Sequence, residues 1–299
     1  MSTTVSAVIT TYNRASLVGR AIESVLNQTR PVEDLIVVDD GSTDNTREVV
    51  ERYGTRVRYV FQPNRKIACA RNRGAEEAKS EWVAFLDDDD EWLPEKIEKQ
   101  VAAVLRDKDA VLCYSGARII DPAGHIRDIP APPPDTLWPG LRLKPHFAAC
   151  TIMVRRDVLL KNGGFRSGLR GAEDWELAVR LGVRHRFTFV PEPLIKVYQA
   201  TNSLSMHAGR MLDAELSIMD SLLLGLRGSA RLTWRLRALS VIFYRAAISA
   251  RAATGSGLRY LVRSLVYWPL PTLRPERYKT LAAELRDRML RSTSVFSAK

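Results

Sequence analysis

Four short apolar segments in the first part of the chain alternate with helical patterns, and this alternation constrains the fold more than any other feature. The predicted strands are Val5–Ile9, Leu35–Val38, Val57–Phe61 and Trp82–Leu86. Between them, apolar residues recur at helical spacing over 17–26, 43–53 and 68–78. Strands that alternate with helices form a parallel sheet with helices on both faces. We therefore predict an α/β fold whose ligand site lies outside the carboxyl ends of the strands.

Four consecutive carboxylates, Asp87 to Asp90, directly follow the fourth predicted strand. They repel one another, and a divalent cation would relieve this repulsion because hard cations take carboxylate oxygens as ligands. Such a cation can bridge a diphosphate and neutralise it as it departs. The alternative is a solvated turn, because acidic side chains also suit the first turn of a helix over 92–99.

A second acidic cluster follows the second predicted strand and begins at Asp39. A carboxylate at a strand end can accept a hydrogen bond from a nucleobase N–H. Gly41 permits a tight turn, and Ser42 or Thr43 can cap the next helix. An Asp–Gly turn with ordinary capping explains the same residues equally well.

A third acidic group, Glu173-Asp174, begins a predicted helix over 173–181 and follows a turn at Gly163-Gly164-Phe165. A carboxylate at a helix start could act as a general base. It could also be an ordinary first-turn acid, which the positive end of the helix dipole favours.

The rest of the chain is organised differently. Seven prolines lie between 121 and 145, so we predict a long surface loop there rather than regular helix or a central strand. A strand is predicted over 148–154, and from about His207 the pattern is helical.

Charge is distributed unevenly along the chain. The net charge is +11, and residues 207–299 alone carry +10. This asymmetry predicts an anionic partner such as membrane phospholipid, a phosphate-bearing acceptor or nucleic acid, although an arginine-rich solvated helix surface is the simpler alternative.

The cysteines and the terminus bear on location. Cys69, Cys113 and Cys150 have neither disulfide nor zinc-site spacing and indicate reduced thiols. The first eight residues do not resemble a secretory signal, and no apolar stretch is long enough for a membrane span. We expect a cytoplasmic protein that is either soluble or peripherally bound to the inner face of the cell membrane.

Five segments, in order, resemble the family 2 glycosyltransferases, which have the GT-A fold. The resemblance covers about 4–205 and rests on 8–14, 38–44, 70–74, 85–90, and the pair 163–165 with 173–175. It implies a Rossmann-like, mostly parallel sheet flanked by helices, with an α-helical C-terminal extension. The implied domains are 1–206, with a donor half of about 1–95 and an acceptor half of about 96–206, and a basic helical region over 207–299.

The resemblance also implies roles for particular residues. Asp174 corresponds to the catalytic base, supported by Glu173. Asp87 and Asp89 correspond to the DxD motif that binds Mn²⁺ or Mg²⁺. Thr10, Tyr12, Asp39, Arg71 and Asp88 correspond to residues of the nucleotide-sugar site, with Asp39 at the base, Arg71 near the phosphates and Asp88 near the ribose or sugar.

The implied reaction is a single inverting displacement by an acceptor hydroxyl on a nucleoside-diphosphate sugar. The expected donor is a UDP-sugar, and the expected acceptor is a glycan or lipid-linked glycan in cell-envelope or surface polysaccharide synthesis. The sequence departs from the family pattern at two places. The family often has glycine where Lys66 or Ile67 stands, and its Tyr-Arg-x-His motif has no match over 197–205, where His207 is the nearest histidine.

Two other functions compete with this prediction. A non-catalytic nucleotide-sugar or glycan-binding module would not need Asp87, Asp89 and Asp174 together. A nucleic-acid-binding protein would fit the basic charge, but no nucleic-acid-binding motif is present.

The basic helices could lie on a membrane or pack against protein, including another copy of the chain. Arg227, Arg231 and Arg235 are spaced to share one helix face, and Leu232, Leu236, Leu239 and Phe243 form an apolar stripe nearby.

Overall fold

The computed structural model describes residues 3–169, 171–199, 208–254, 256–270, 276, 278–283 and 286. The chain forms two compact units. The first consists of Met1–Leu141, Pro145–Gly168 and Glu173–Ala200, and the second of Arg142–Lys144, Leu169–Ala172 and Thr201–Lys299. The predicted domain boundary at 206/207 lies outside the described residues.

The first unit is built on one sheet. Its strands are β1 (Val5–Thr11), β2 (Asp34–Asp39), β3 (Arg58–Phe61), β4 (Trp82–Asp87), β5 (Glu91–Trp92), β6 (Ala110–Ile120), β7 (Ile126–Ile129), β8 (Met153–Arg155) and β9 (Arg186–Tyr198). The order is β3-β2-β1-β4-β8-β6-β9-β5, with β7 beside β6. Strands β3, β2, β1 and β4 are parallel, whereas β8 is antiparallel to both β4 and β6.

Helices flank this sheet. They are α1 (Val18–Leu26), α2 (Thr46–Glu51), α3 (Lys66–Glu77), α4 (Lys96–Arg106), α5 (Pro134–Gly140), α6 (Arg156–Lys161) and α7 (Glu173–Gly182). The apolar face of α1, made by Val18, Ala21, Ile22 and Val25, is buried, as its spacing predicted. The α/β fold with helices on the sheet is therefore confirmed.

The close packing of α3 against the sheet depends on Gly74. A Cβ atom at this position would lie 2.2 Å from Cγ1 and 3.2 Å from Cβ of Val8 in the central strand β1. Val8 is β-branched and fully buried, so it cannot rotate away without cost.

We predict that Gly74→Ala destabilises the protein by about 1–3 kcal/mol because it overpacks this contact. Gly19→Ala in α1 is a matched control, since a Cβ there would meet the Tyr53 hydroxyl at 3.4 Å and Cγ1 of Val49 at 3.8 Å, both ordinary van der Waals contacts. Alanine should be neutral or stabilising at Gly19 because it has the higher helix propensity. Urea unfolding of both variants measures the difference, and equal stabilities would contradict this account of the α3–β1 packing.

The proline-rich segment is not the surface loop that its composition predicted. Ile126–Ile129 pairs with β6 as a strand, and α5 begins at Pro134, where a missing N–H costs nothing. Leu137 and Leu141, four residues apart, are buried. The prediction rested on the number of prolines and did not take the spacing of Leu137 and Leu141 into account.

The second unit is helical. Its helices are α8 (Ala208–Ser217), α9 (Met219–Leu222), α10 (Gly228–Thr254) and α11 (Leu258–Tyr267). The Arg142 guanidinium donates to the carbonyl oxygens of Leu222 and Leu224 and so ties the segment Arg142–Lys144 to the end of α9. Within the described ranges, no helix is both long enough and apolar enough to cross a membrane.

Candidate active site

The register of the parallel strands brings the first two acidic groups to one edge of the sheet. Thr11 at the end of β1 pairs with Asp39 at the end of β2, and Thr10 pairs with Asp87 at the end of β4. Thr10 and Thr11 are both buried. The carboxyl edge of the sheet thus carries a continuous row of polar side chains, as parallel topology requires.

Asp39 is held rigidly at this edge. Its Oδ1 accepts a hydrogen bond from the Ser42 N–H at 2.8 Å, and its Oδ2 accepts one from the Tyr59 hydroxyl at 2.7 Å. Each carboxylate oxygen has a second lone-pair direction. Asp39 can therefore accept a further hydrogen bond without giving up either partner.

The neighbouring Asp40 stabilises the start of α3. Its carboxylate accepts hydrogen bonds from the N–H groups of Arg65 and Lys66, both at 2.8 Å, and so caps the start of α3. Lys66 has a φ of +72°, in the left-handed region that glycine prefers. This conformation explains the glycine common at this position in the family, and the Lys66 residue is exposed.

Arg71 links the acidic tetrad Asp87–Asp90 to the acidic pair Glu173-Asp174. Its Nη2 lies 2.7 Å from Oδ1 of Asp87, and its Nη1 lies 3.3 Å from Oε1 of Glu173. Burial disfavours the charge, but Asp87 and Glu173 outweigh this effect and raise the pKa of Arg71. The guanidinium is therefore a fixed cation between a strand end and a helix start that are 86 residues apart in sequence.

The acidic tetrad Asp87–Asp90 is crowded. Burial raises the pKa of Asp88 to about 7, and burial together with Asp87 and Asp89 raises that of Asp90 to about 8. Burial and Asp87 also raise the pKa of Asp89, whose carboxylate lies 3.6 Å from the Arg14 guanidinium. Desolvation and neighbouring like charges thus disfavour the ionised form of these three carboxyl groups, and an added positive charge would stabilise it.

One face of the tetrad also presents a thiol. Ligand atoms of Asp87, Asp90 and Cys150 lie within 4.8 Å of one another. Oδ1 of Asp90 accepts a hydrogen bond from the Tyr198 N–H at 3.2 Å. Carboxylate oxygens held this close together and shielded from water are a donor set that suits a hard divalent cation.

Asp174 lies at the start of α7, beside Glu173. Burial, and then the neighbouring Glu173 carboxylate, raise the pKa of Asp174 to about 6. Its Oδ1 accepts the Trp175 N–H at 2.7 Å, which leaves Oδ2 available. The indole N–H of the buried Trp175 donates to the Leu141 carbonyl and anchors the helix start.

The glycine turn before α7 is clamped onto α3. The Asn72 amide donates to the Phe165 carbonyl and accepts from the Phe165 N–H, both at 2.8 Å. A Cβ at Gly164 would lie 2.3 Å from Oδ1 of Asn72. The Phe165 ring packs edge-on against Phe85 in β4, with ring centroids 5.1 Å apart. These contacts fix the glycine turn against α3 and β4.

The sequence decides the family. Residues 6–164, more than half of the chain, match the family model for Glycosyl transferase family 2. The chain belongs to this family. Its relatives include TuaG of Bacillus subtilis, which is named for teichuronic acid biosynthesis and is 32% identical over 51% of this chain and 62% of its own. Chondroitin synthase of Pasteurella multocida is 38% identical over 41% of this chain and 13% of its own.

Two solved structures share the fold. The 1–349 fragment of S. aureus TarS in complex with UDP-GlcNAc superposes with a TM-score of 0.66 at 19% identity, covering 88% of this chain and 79% of that one. The mannosyltransferase PcManGT of Pyrobaculum calidifontis, with GDP-Man and Mn²⁺, gives 0.59 at 20% identity, covering 89% and 81%. The GT-A prediction is confirmed. The chain spans less than two thirds of the length of the first curated relatives.

The structure gathers most of the residues predicted for the family site. Asp87, Arg71 and Glu173 are in direct contact, and Asp174 adjoins Glu173. Tyr12 is 47% exposed on the loop after β1. Residues 200–207, where the family's basic motif and His207 were considered, lie outside the described ranges.

Other residues at the site were not predicted from the sequence. Tyr59, Asn72 and Cys150 contact site groups across 20, 93 and at least 60 residues of chain. No local pattern marks Tyr59 or Cys150 as a partner of the site. Asn72 and Arg14 lie inside the motif segments 70–74 and 8–14, so those motifs are the signal that could have identified them.

Proposed function

We propose that this family 2 member is an inverting, metal-dependent glycosyltransferase that moves a sugar from a UDP-sugar to an acceptor hydroxyl. The observation that carries the proposal is the double contact of Arg71, with Asp87 of the tetrad and with Glu173 beside Asp174. This contact supports a proposed diphosphate-and-cation site at the tetrad beside a proposed base at Asp174. A binding module would need no such base.

The proposed donor contacts use the edge of the sheet. Asp39 accepts the N3–H of uracil through its remaining lone pairs, and Thr10 and Tyr12 line the nucleotide pocket. Asp88 faces the ribose or sugar. UDP-GlcNAc in TarS favours a uridine nucleotide, whereas GDP-Man in PcManGT is the main alternative.

Asp87 and Asp89 would hold the Mn²⁺ or Mg²⁺ ion, and the tetrad fits this role because its carboxylates repel one another. When bound, such an ion neutralises the nucleoside diphosphate leaving group. Arg71 supplies a second, fixed positive charge on the same side and keeps Asp87 oriented.

Asp174 is the proposed base. Its Oδ2 takes the proton of the acceptor hydroxyl, whose oxygen forms a bond to the anomeric carbon as the bond to the diphosphate oxygen breaks. Attack from the face opposite the leaving group inverts the anomeric centre. Glu173, held by Arg71, raises the proton affinity of Asp174.

We further propose a glycan or lipid-linked acceptor in cell-envelope or surface polysaccharide synthesis, and no nucleic-acid partner. Support comes from the names of relatives, which refer to teichuronic acid, chondroitin and hyaluronan. All three polymers are polysaccharides, which are made by sequential sugar transfer.

Calorimetry with UDP, GDP and dTDP in Mn²⁺ tests the donor assignment. We expect UDP to bind most tightly and Asp39→Asn to weaken it by about 10- to 100-fold, since a hydrogen bond to a charged group contributes ~1.5–3 kcal/mol. Asp128→Asn, on the exposed strand β7, is the control and should bind UDP normally. Tighter binding of GDP or dTDP would contradict the uridine assignment.

A further inference from the structure

The two long helices of the second unit, α10 and α11, pack against each other through small residues. The Ser240 hydroxyl donates to the Ser264 carbonyl at 2.8 Å, and the Ser264 hydroxyl donates to the Ser240 carbonyl at 2.6 Å. A Cβ at Gly257 would lie 2.1 Å from the Ala247 carbonyl oxygen. These contacts show that α10 and α11 run antiparallel. The residues that make them lie on the face that is buried between the two helices.

The opposite face of α11 is exposed and follows helical spacing. Arg259, Val262, Arg263 and Val266 lie at positions i, i+3, i+4 and i+7, so they share one side of the helix. All four are exposed, and Val266 is 74% exposed. Leu261 and Ser264, on the other side, are buried. The exposed side therefore alternates aliphatic and cationic groups.

Aromatic and aliphatic side chains lie at one end of the helix pair. The Arg237 guanidinium lies 5.3 Å from the Trp234 ring centroid and 5.5 Å from that of Trp268. This contact places the start of α10 beside the end of α11. Leu232 and Leu270, which are 59% and 62% exposed, lie at the same end.

All charged side chains of α10 and α11 are positive. Neither α10 nor α11 contains an Asp, Glu or Lys. Their arginines are Arg231, Arg235, Arg237, Arg245, Arg251, Arg259 and Arg263. Exposed aliphatic residues mixed with arginine and flanked by tryptophan are typical of the bilayer interface, where tryptophan lies at the headgroups and arginine meets lipid phosphate.

We propose that the surface formed by Arg259, Val262, Arg263 and Val266, together with Trp268 and Leu270 at the end of α11, docks on an anionic phospholipid bilayer. The aliphatic side chains enter the boundary between headgroups and acyl chains, and the arginines neutralise headgroup phosphates. The partner is a lipid surface rather than a nucleic acid, because backbone phosphates offer no apolar phase for Val266 and Leu270. The inference is independent of the sugar-transfer proposal.

Co-sedimentation of the full chain with vesicles tests it. Wild-type protein should bind phosphatidylcholine vesicles that contain phosphatidylglycerol at low salt, bind pure phosphatidylcholine weakly, and release as 1 M salt shortens the screening length to about 3 Å. Arg259→Gln with Arg263→Gln should weaken binding roughly 30-fold, at about fivefold for each charge.

Val266→Glu with Leu270→Glu should abolish measurable binding, because it removes both aliphatic anchors and adds like charge. Ile126→Glu is the matched control, since Ile126 is an equally exposed aliphatic residue on β7 of the first unit. Circular dichroism and unchanged nucleotide binding confirm that each variant is folded.

Three results would overturn the proposal. They are no binding of wild-type protein to anionic vesicles at low salt, equal binding of the Val266/Leu270 variant and wild type, and an equal loss with Ile126→Glu. Concentration-dependent self-association of the wild type in light scattering, lost in the Val266/Leu270 variant without any vesicle binding, would instead assign the surface to a second copy of the chain.

Discussion

Asp174→Asn is expected to lower turnover by ~10²–10⁴-fold while leaving UDP affinity nearly unchanged. Asparagine keeps the shape of the side chain and can still accept the Trp175 N–H, but it cannot take a proton from the acceptor. Initial rates at saturating donor, together with calorimetry of UDP, separate the two effects. A rate within a few-fold of the wild type would remove Asp174 from the mechanism.

The pH profile provides the control for this assignment. Burial and Glu173 raise the pKa of Asp174 to about 6, so the carboxylate form predominates above that pH and is lost below it. Wild-type turnover should therefore fall as the pH drops through about 6. The residual activity of Asp174→Asn should lack this decline. The same decline in both proteins would assign it to another group.

Asp89→Ala is expected to abolish metal-dependent turnover without unfolding the protein. The Asp89 carboxylate is partly exposed and its nearest cation, Arg14, is 3.6 Å away, so its loss costs little stability. Removing a proposed ligand should also raise the Mn²⁺ concentration needed for any residual activity. Turnover titrated with Mn²⁺, and thermal unfolding of the same sample, measure both effects.

Asp128→Ala is a suitable comparison for that variant. It also removes an exposed carboxylate that pairs with an arginine, since Oδ1 of Asp128 lies 2.7 Å from Nε of Arg118. It leaves the tetrad intact and should keep full activity. If Asp89→Ala turned over normally in EDTA, Asp89 would not be a metal ligand.

The donor half of the fold was predictable because its signals are local. Strands β1 to β4 are short apolar segments that alternate with helical patterns, and parallel topology places their carboxyl ends together. These local signals are sufficient to place the acidic groups at Asp39 and Asp87 at the carboxyl edge of the sheet. The structure extends β1, β2 and β4 by one or two residues into the polar site, as at β1, which ends at Thr11 rather than Ile9.

The acceptor half was less predictable because long-range contacts determine it. Strand β6 pairs with β7, β8 and β9 at once, and no local period indicates these partners. The segment that holds Leu141 was expected at the surface, yet its carbonyl accepts the buried Trp175 indole N–H. The double contact of Arg71 joins groups far apart in sequence, so the motifs could indicate its role but not its geometry.

Release of nucleoside diphosphate from a panel of UDP-, GDP- and dTDP-sugars, in Mn²⁺ and in EDTA, tests the central claim most directly. The account predicts that a UDP-sugar is consumed in Mn²⁺, that EDTA stops the reaction, and that Asp174→Asn is slower by the factor given above. Tight UDP binding with no sugar consumed under any condition would contradict it and favour the non-catalytic binding module.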